Sequence, residues 1–252
     1  MFKRLRNLFA AIRGRVHDAA LPTPDDGRPE SAARSRADAR PRSKFDYRTL
    51  SLSAAQIDAQ AYKAHLGGGA AGWEKRGAFQ LALMRHLGLR EHSSLLDIGC
   101  GPLRAGVHFL EFLTPGGYRG VDFNPSLVVA AHRAMDNLGM GAQTGRVSVL
   151  QDFDFSGLGE TYDFLLCFSV LNHCSAAERV RFFAEIPRVM NAQSRLVVTH
   201  AGWFDAAAYP ALTLVQVDEF GDAGALPRAL ALEHWGFDDP QSTPLPIRVF
   251  RV

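Results

Sequence analysis

Short apolar runs alternate with amphipathic segments between residues 95 and 202 of this 252-residue chain. In the amphipathic segments apolar residues recur every three or four positions, which is the spacing of one helix face. The short runs end in acidic or polar residues, and they occupy 95–98, 118–122, 147–155, 162–173 and 195–202. Alternating strands and helices of this kind predict an α/β fold of the Rossmann-like, doubly wound type, with a mostly parallel sheet and helices on both faces.

Two helices are predicted ahead of the first strand, over residues 51–89. Three adjacent glycines, 67–69, separate them, and the second helix runs from near Gly72 to Leu87, with Gly88 as its stop. The glycines form a hinge, which is flanked by Tyr62, His65 and Trp73. Such a hinge belongs either to a lid over a ligand or to a flexible connector beside an aromatic core anchor.

The first 21 residues are predicted to form a basic amphipathic helix. Its apolar positions are Phe2, Leu5, Phe9, Ile12 and Val16, and its basic positions are Lys3, Arg4, Arg6, Arg13 and Arg15. This pattern suits an anionic membrane surface, a docking site on a partner protein, or a transit peptide. The alternative is an N-terminus whose apolar face rests on its own domain.

Charge separates the N-terminal tail from the rest of the chain. Residues 22–44 lack apolar periodicity and are rich in Pro, Ser, Arg and Asp, which predicts a disordered linker before a folded domain at 45–252. Residues 1–44 hold 11 Lys+Arg and 5 Asp+Glu, a net charge of +6, whereas the remainder has a net charge of −4. The domain therefore offers no broad basic surface for nucleic acid.

Cysteine and histidine spacing indicates neither a metal site nor a disulfide framework. Cys100, Cys167 and Cys174 form no C-x-x-C pair, and the nine histidines form no H-E-x-x-H pattern. No apolar run approaches the length of a membrane span. We therefore expect a cytoplasmic protein, with peripheral membrane attachment if the N-terminal helix docks on lipid.

Residues 95–106, LLDIGCGPLRAG, combine a strand end, a glycine turn and a predicted helix start at Pro102. Gly99 and Gly101 lack a Cβ, so a ligand can lie against the backbone there. Unpaired N–H groups at the helix start would face that ligand. A dinucleotide-binding turn has another glycine three places after its second glycine, and Arg104 stands in that place.

Asp97, just before the turn, is a poor neighbour for pyrophosphate and a good one for an ammonium group. A zwitterionic amino acid attached to a nucleoside therefore suits this turn. At this point the stretch resembles motif I of the class I S-adenosylmethionine (SAM) methyltransferases, and DIGCGPLRAG resembles a subgroup spelled GCGxLR. The resemblance implies that SAM is the cofactor and that its binding residues include Asp97, Gly99, Cys100, Gly101 and Arg104.

Asp122 lies 25 positions after Asp97, at the end of the next strand. A carboxylate there can accept hydrogen bonds from both ribose hydroxyls. Read alone, this acid could be a cap for the helix that Pro125 begins and Gly139 stops. Its interval from Asp97 favours a nucleoside site instead, with Phe123 beside it.

The resemblance also places an adenine-contacting acid just past the third strand. Asp152 is expected to bind the exocyclic amine, with Phe153 beside the ring, whereas Asp154 is expected to be solvated or to act as a local cap. Ser169 emerges after the fourth strand, beside the cofactor. In many of these enzymes N-terminal helices cover the cofactor, which would make residues 51–89 a lid that shapes the acceptor pocket.

Three histidines are candidate general bases. His173 ranks first because it follows the predicted central strand in a stretch that resembles the family's SVFTHL, although Leu171 and Asn172 depart from that spelling. His65 could approach from the lid and His200 from the fifth strand. The alternative for His173 is a histidine that positions its loop through a backbone hydrogen bond. Ser175 and Glu178 form an S-x-x-E capping box, which predicts a helix start.

The last fifty residues carry weaker signals. A helix near 226–234 and a strand at 247–252 are predicted, and the antiparallel sixth and seventh strands usual in this family have little room, so we expect an abbreviated sheet end. The resemblance implies methyl transfer from SAM to a small-molecule or sugar acceptor, with a hydroxyl oxygen as the favoured acceptor atom. Two other functions remain open: a non-catalytic SAM-fold partner protein and an NAD-type oxidoreductase, which Arg104 disfavours.

Overall fold

The computed structural model describes residues 47–66, 69–199, 215–220 and 247–251. The predicted N-terminal helix (1–21) and linker (22–44), Gly67 and Gly68 of the hinge, His200, and the helix near 226–234 lie outside these residues. Within the described part of the chain, no helix is long and apolar enough to cross a membrane. The same part holds no group of three His, Cys, Asp or Glu side chains suited to a metal ion.

The described strands form a seven-stranded sheet in the order β3-β2-β1-β4-β5-β7-β6. The first five run parallel to one another, and β7 runs antiparallel to both β5 and β6. This is the doubly wound, mostly parallel fold that the alternating pattern predicts. The strands are β1 Leu95–Ile98, β2 Tyr118–Asp122, β3 Val147–Val149, β4 Tyr162–Cys167, β5 Met190–Thr199, β6 Val215–Phe220 and β7 Ile247–Arg251.

The expectation of an abbreviated sheet end is wrong, since a sixth and a seventh strand are both present, and of these only β7 runs antiparallel to the first five. The sixth strand carries Gln216, Asp218 and Glu219 among its six residues, so its sequence contains no apolar run. It pairs on one side only, with β7, and lies at the end of the sheet order. Polar residues are usual on such edge strands, and for that reason the apolar pattern did not reveal it.

Six α-helices surround the sheet in the described residues, and their ends follow local capping rules. Ser175 and Glu178 form the predicted capping box, and a second box joins Ser53 to Gln56. Gly139 has a φ of +71° where the fifth helix stops, as predicted. The helices are α1 Ala54–Asp58, α2 Tyr62–His65, α3 Gly69–His86, α4 Gly106–Phe112, α5 Pro125–Asn137 and α6 Ala176–Glu185.

Several predicted boundaries need correction. The segment 51–89 forms three helices instead of two, α3 begins at Gly69 instead of near Gly72, and β5 begins at Met190 instead of residue 195. The helix expected to start at Pro102 begins at Gly106, because Leu103 adopts a φ of +63° and the turn carries its side chain into the core, where it is fully buried. The third strand stops at Val149 instead of residue 155, and Asp152 and Phe153, which also have positive φ, lie in the loop that follows it. The fourth strand stops at Cys167, and residues 171–173 form a 3₁₀ turn.

The core consists of three clusters of buried apolar side chains. Two of them contain strand residues, one with Leu95, Phe109 and Tyr118 and the other with Leu96, Phe182 and Phe183. The third joins the N-terminal helices to α5, and it contains Leu52, Ile57, Tyr62, Leu66, Trp73, Leu127 and Ala130. Trp73 is therefore a buried anchor that holds α3 against the domain.

Candidate cofactor and active site

The carboxyl ends of β1, β2 and β4 meet at one edge of the sheet. β1 lies between β2 and β4, and the strand order reverses there, which is where doubly wound folds bind ligands. Asp97 lies within β1, one residue before its end, and Asp122 is the last residue of β2. The structure thus brings the two predicted acids to the same edge, with Ser169 and His173 following β4.

The two glycines of the turn serve different purposes. Gly99 has a φ of +73°, and a Cβ built on it would lie 2.2 Å from a methyl carbon of Val170. Gly101 has a φ of +52° and nothing within 4 Å of such a Cβ. Gly99 therefore allows the turn to pack against the loop after β4, whereas Gly101 leaves open space against the backbone for a ligand.

Cys100 points its side chain inward. Its thiol is buried, and a Cβ built on Gly120 of β2 would lie 3.0 Å from its Sγ atom. Burial, followed by the charges of Asp97 and Asp122, raises the pKa of this thiol well above its ordinary value. Only the backbone of Cys100 is left to contact a cofactor.

Asp97 is buried and accepts a hydrogen bond from Tyr118, a residue that the sequence pattern did not indicate as part of the site. The Tyr118 hydroxyl donates to Asp97 Oδ2 at 2.9 Å. Burial raises the pKa of Asp97 to about 7, although the Tyr118 hydrogen bond and the Arg104 charge oppose this effect. Glycine in a strand often marks a close approach, and Gly120 beside Tyr118 is the signal that could have revealed this pair.

Asp122 is also buried, and both of its carboxylate oxygens accept backbone hydrogen bonds. Gly101 N–H donates to Oδ2 and Asn124 N–H donates to Oδ1, each at 2.9 Å. Burial raises the pKa of this carboxyl, while the backbone donors oppose the shift. A carboxylate has about four lone-pair sites, so these backbone bonds leave capacity for a further donor such as a hydroxyl group.

Arg104 is enclosed between the glycine turn and α3. Its guanidinium carbon lies 6.0 Å from the ring centroid of Trp73, and its Nε atom is buried without a hydrogen-bond partner. Burial and the neighbouring Arg76 charge lower the pKa of Arg104 to about 10. Gly77 allows α3 this close, since a Cβ there would meet the Arg104 carbonyl oxygen at 2.2 Å.

The loop after β3 presents Asp152 to solvent. Asp152 and Phe153 have φ values of +51° and +54°. The ring of Phe153 packs on Phe182, with centroids 5.2 Å apart, so part of its surface belongs to the core. Asp154 acts as the expected local cap, because its Oδ1 accepts hydrogen bonds from the backbone and hydroxyl of Ser156.

Ser169 is held by its backbone. It has a φ of +62°, and its N–H donates to the buried hydroxyl of Thr199 on β5 at 2.7 Å. The loop after β4 is thereby tied to the next strand. The loop then enters the 3₁₀ turn that carries His173.

His173 is half-buried, and its imidazole and the Tyr47 ring make a T-shaped contact, with ring centroids 4.8 Å apart. Burial lowers its pKa below the ordinary value for histidine. Its backbone N–H donates to the Val170 carbonyl at 2.9 Å. Of the other two candidate histidines, His65 is the last residue of α2, and His200 lies outside the described residues.

Sequence reasoning missed Tyr47 and Asn124. The Asn124 side chain accepts from the N–H groups of Ser126 and Leu127 and donates to the carbonyls of Tyr47 and Leu50. The Asn-Pro pair that begins α5 is a recognisable cap signal, so the capping half of this role was accessible. The hydrogen bonds from Asn124 to the carbonyls of Tyr47 and Leu50 could not be predicted, because these residues lie more than 70 positions away in sequence.

Comparison with known proteins supplies the family context for this site. Residues 96–196 match the family model described as a methyltransferase domain. None of the curated proteins matches the chain in sequence. The matched segment runs from β1 into β5 and so contains the glycine turn, both acids and His173.

Solved structures share the fold. A TehB-like SAM-dependent methyltransferase from Corynebacterium glutamicum has 17% identity and a TM-score of 0.51, over 79% of this chain and 99% of that one. Magnesium protoporphyrin IX methyltransferase from Synechocystis, with SAM bound, has 16% identity and a TM-score of 0.51, over 79% and 92%. A SAM-dependent methyltransferase from Clostridium acetobutylicum has 9% identity and a TM-score of 0.50, over 79% and 97%.

At these identities the likeness to solved structures establishes the fold, while the family match covers the segment from β1 into β5. The chain therefore has the class I methyltransferase fold, and residues 96–196 match the model of a methyltransferase domain.

Proposed function

We propose that this protein transfers the methyl group of SAM to a hydroxyl oxygen of a small-molecule or sugar acceptor. The observation that carries the proposal is the position of His173, a half-buried imidazole with a lowered pKa at the sheet edge where the cofactor belongs. The GCGxLR spelling of the turn supports membership of that subgroup. The net charge of −4 outside residues 1–44 supports an acceptor other than nucleic acid.

The residues at the turn fit SAM on three observations. Gly101 leaves open space against its backbone, Asp97 is a buried acid suited to an ammonium group, and Arg104 has a buried Nε atom without a hydrogen-bond partner. We assign Asp97 to the amino group and Arg104 to the carboxylate of the amino-acid part. The backbone of Gly99, Cys100 and Gly101 would line the same part.

The nucleoside part is assigned to residues that follow β2 and β3. Asp122 would accept hydrogen bonds from the ribose hydroxyls with its free lone pairs, next to Phe123. Asp152 would accept from the adenine amine, with Phe153 at the edge of the ring and Ser169 on the β4 side. When bound, SAM supplies an electrophilic methyl group, and the protein contributes mainly by holding the acceptor in line with it.

His173 would supply the base. A hydroxyl must lose its proton as the oxygen is methylated, and an imidazole can accept that proton only when it is neutral. Because burial lowers the pKa of His173, the neutral form predominates at neutral pH. His65 and His200 are the second and third candidates for this role.

Turnover of SAM against a panel of hydroxylated small molecules and sugars tests the proposal. His173→Ala should lower turnover by about 10²–10⁴-fold, as expected for a lost general base, while the affinity for S-adenosylhomocysteine stays unchanged. His92→Ala, at an exposed histidine in a loop, is the matched control and should leave turnover intact.

Three outcomes would contradict parts of this proposal. Full turnover by His173→Ala would remove His173 as the base. Loss of cofactor binding in that variant would place His173 in the cofactor pocket. Cofactor binding without turnover on any acceptor would favour the non-catalytic SAM-fold protein.

We place the protein in the cytoplasm, with attachment to an anionic membrane or a partner protein through residues 1–21.

A further inference from the structure

Residues 47–52, which we call the strap, cross the sheet edge on the way to α1. Asn124 Nδ2 donates to the carbonyls of Tyr47 and Leu50 at 2.7 and 2.9 Å. Leu52 N–H donates to the Ser126 hydroxyl at 3.2 Å. The strap is therefore fixed to the start of α5, immediately after the acid that ends β2.

The strap is fixed on the β4 side as well. Arg48 forms an ion pair with Glu178 of α6, at 2.5 Å between Nη2 and Oε1. Its guanidinium carbon also lies 5.7 Å from the ring centroid of Phe123. Arg48 thus spans from the end of β2 to the first turn of α6, and the strap passes over the region between them.

Tyr47, the first residue of the strap, lies against His173. The rings are 4.8 Å apart at an interplanar angle of 69°. Burial raises the pKa of the Tyr47 phenol, and the nearby Arg104 charge opposes this shift. One side chain therefore contacts the candidate base and lies near the guanidinium assigned to the cofactor.

The charged groups around His173 have partners of their own. Arg48 and Glu178 are paired with each other, and Arg179 donates to the carbonyls of Leu171 and Cys174 at 3.4 and 2.6 Å. The pKa of His173 is lowered by burial. An aromatic ring that excludes water from one side of an imidazole has this effect, because it disfavours the charged form.

We propose that Tyr47 is a positioning residue of the active site, whose ring fixes the orientation of the His173 imidazole and shields it from water. This proposal rests on the proposed function of His173 as the base. The aromatic ring performs this role, so Tyr47→Phe should keep the orientation and the shielding of the His173 imidazole. Through this contact the strap, which lies N-terminal to the residues that match the methyltransferase-domain model, contributes to the active site.

Titration of His173 in the full chain by NMR tests the contact without using activity. Tyr47→Ala should raise the pKa of His173 towards the ordinary value of about 6.5, because water regains access to the ring. Tyr47→Phe should leave it unchanged. Tyr162→Phe, which removes a phenol hydroxyl at the start of β4, is the matched control and should also leave it unchanged.

The pH dependence of turnover tests the positioning role. Tyr47→Ala should lower kcat more than it changes KM for SAM, by about tenfold or more but less than the 10²–10⁴-fold of a lost base. The acidic limb of its pH profile should move to higher pH together with the NMR titration. Asn124→Ser, which keeps a capping oxygen but loses the amide donor to the strap, should shift both in the same direction.

The outcomes of these experiments distinguish the Tyr47 contact, its positioning role and the proposed function of His173. An unchanged His173 titration in both Tyr47→Ala and Asn124→Ser would overturn the proposal. A shifted titration with an unmoved pH profile would overturn the positioning role while leaving the contact in place. Full turnover by His173→Ala would instead refute the proposed function, whatever the titration shows. Thermal unfolding of every variant separates these results from a failure to fold.

Discussion

Asp122 accepts a hydrogen bond from the backbone N–H of Gly101, with 2.9 Å between Oδ2 and the nitrogen. The acid that ends β2 therefore braces the glycine turn that follows β1. Its other oxygen accepts from Asn124 N–H, and the Asn124 side chain holds the strap. A single carboxylate thus connects the turn, the start of α5 and the segment that reaches His173.

Replacing Asp122 should weaken cofactor binding. Asp122→Ala removes the proposed ribose acceptor and the brace on Gly101, so we expect a loss of about 1.5–3 kcal/mol in the affinity for S-adenosylhomocysteine, measured by calorimetry. Asp154→Ala is the control, because Asp154 is an exposed acid that caps only its own 3₁₀ turn. An unchanged affinity in Asp122→Ala would refute the ribose assignment.

Cofactor affinity should depend on the protonation of Asp97. Its pKa of about 7 in the free protein means that a proton must leave before the carboxylate can pair with an ammonium group. Affinity for S-adenosylhomocysteine should therefore rise with pH below about 7, by up to about tenfold per pH unit, and level off above it. Calorimetry in buffers of different ionisation enthalpy should detect the released proton, and Asp97→Asn should abolish both effects.

The stability of the free protein should show the opposite trend with pH. The folded-state pKa of Asp97 is raised above the unfolded value, so the folded protein binds the extra proton between about pH 4 and pH 7. Its free energy of unfolding should fall as pH rises through this window. Asp97→Asn should therefore be more stable than the natural protein at pH 8 and similar to it at pH 4, as measured by denaturant unfolding. Equal stabilities at pH 8 would argue against a buried carboxylate.

Close packing of α3 on the glycine turn depends on Gly77. A Cβ at this position would lie 2.2 Å from the Arg104 carbonyl and 2.7 Å from the His108 ring. Gly77→Ala gains about 1 kcal/mol in helix propensity, yet overpacking of about 1–3 kcal/mol should outweigh it. We expect a lower Tm and weaker cofactor binding. Gly145→Ala, where nothing lies within 4 Å of the new Cβ, should show neither effect.

The N-terminal segment should act independently of the cofactor site. If residues 1–21 bind an anionic surface, vesicle binding should increase with the fraction of anionic lipid and decrease with salt. Deleting residues 1–44 should abolish this binding and leave the affinity for S-adenosylhomocysteine intact, because the strap begins at Tyr47. Equal vesicle binding by the truncated protein would show that the segment is not the anchor.

Local sequence rules determined most of the secondary structure. The apolar runs place β1, β2 and β4, the capping box at Ser175 places the start of α6, and the glycine at 139 ends α5, because each signal acts within a few residues. The positions of Asp97 and Asp122 at one sheet edge also follow from sequence, since parallel neighbouring strands bring their carboxyl ends together. The fold class and the sheet edge where the two acids lie could therefore be predicted without the structure.

Contacts between distant segments were decided only by the tertiary structure. Arg48 and Glu178 stand 130 positions apart in sequence, and no local pattern predicts that they pair. The start of α4 at Gly106 depends on burying Leu103, and the partnership of Tyr118 with Asp97 depends on the register of β1 and β2 together with the space left by Gly120. The sequence therefore determined at which strand end each acidic side chain lies. The tertiary structure decided which neighbouring side chains set the charge and orientation of each acid. Contacts between residues far apart in sequence form only when the helices and strands pack together.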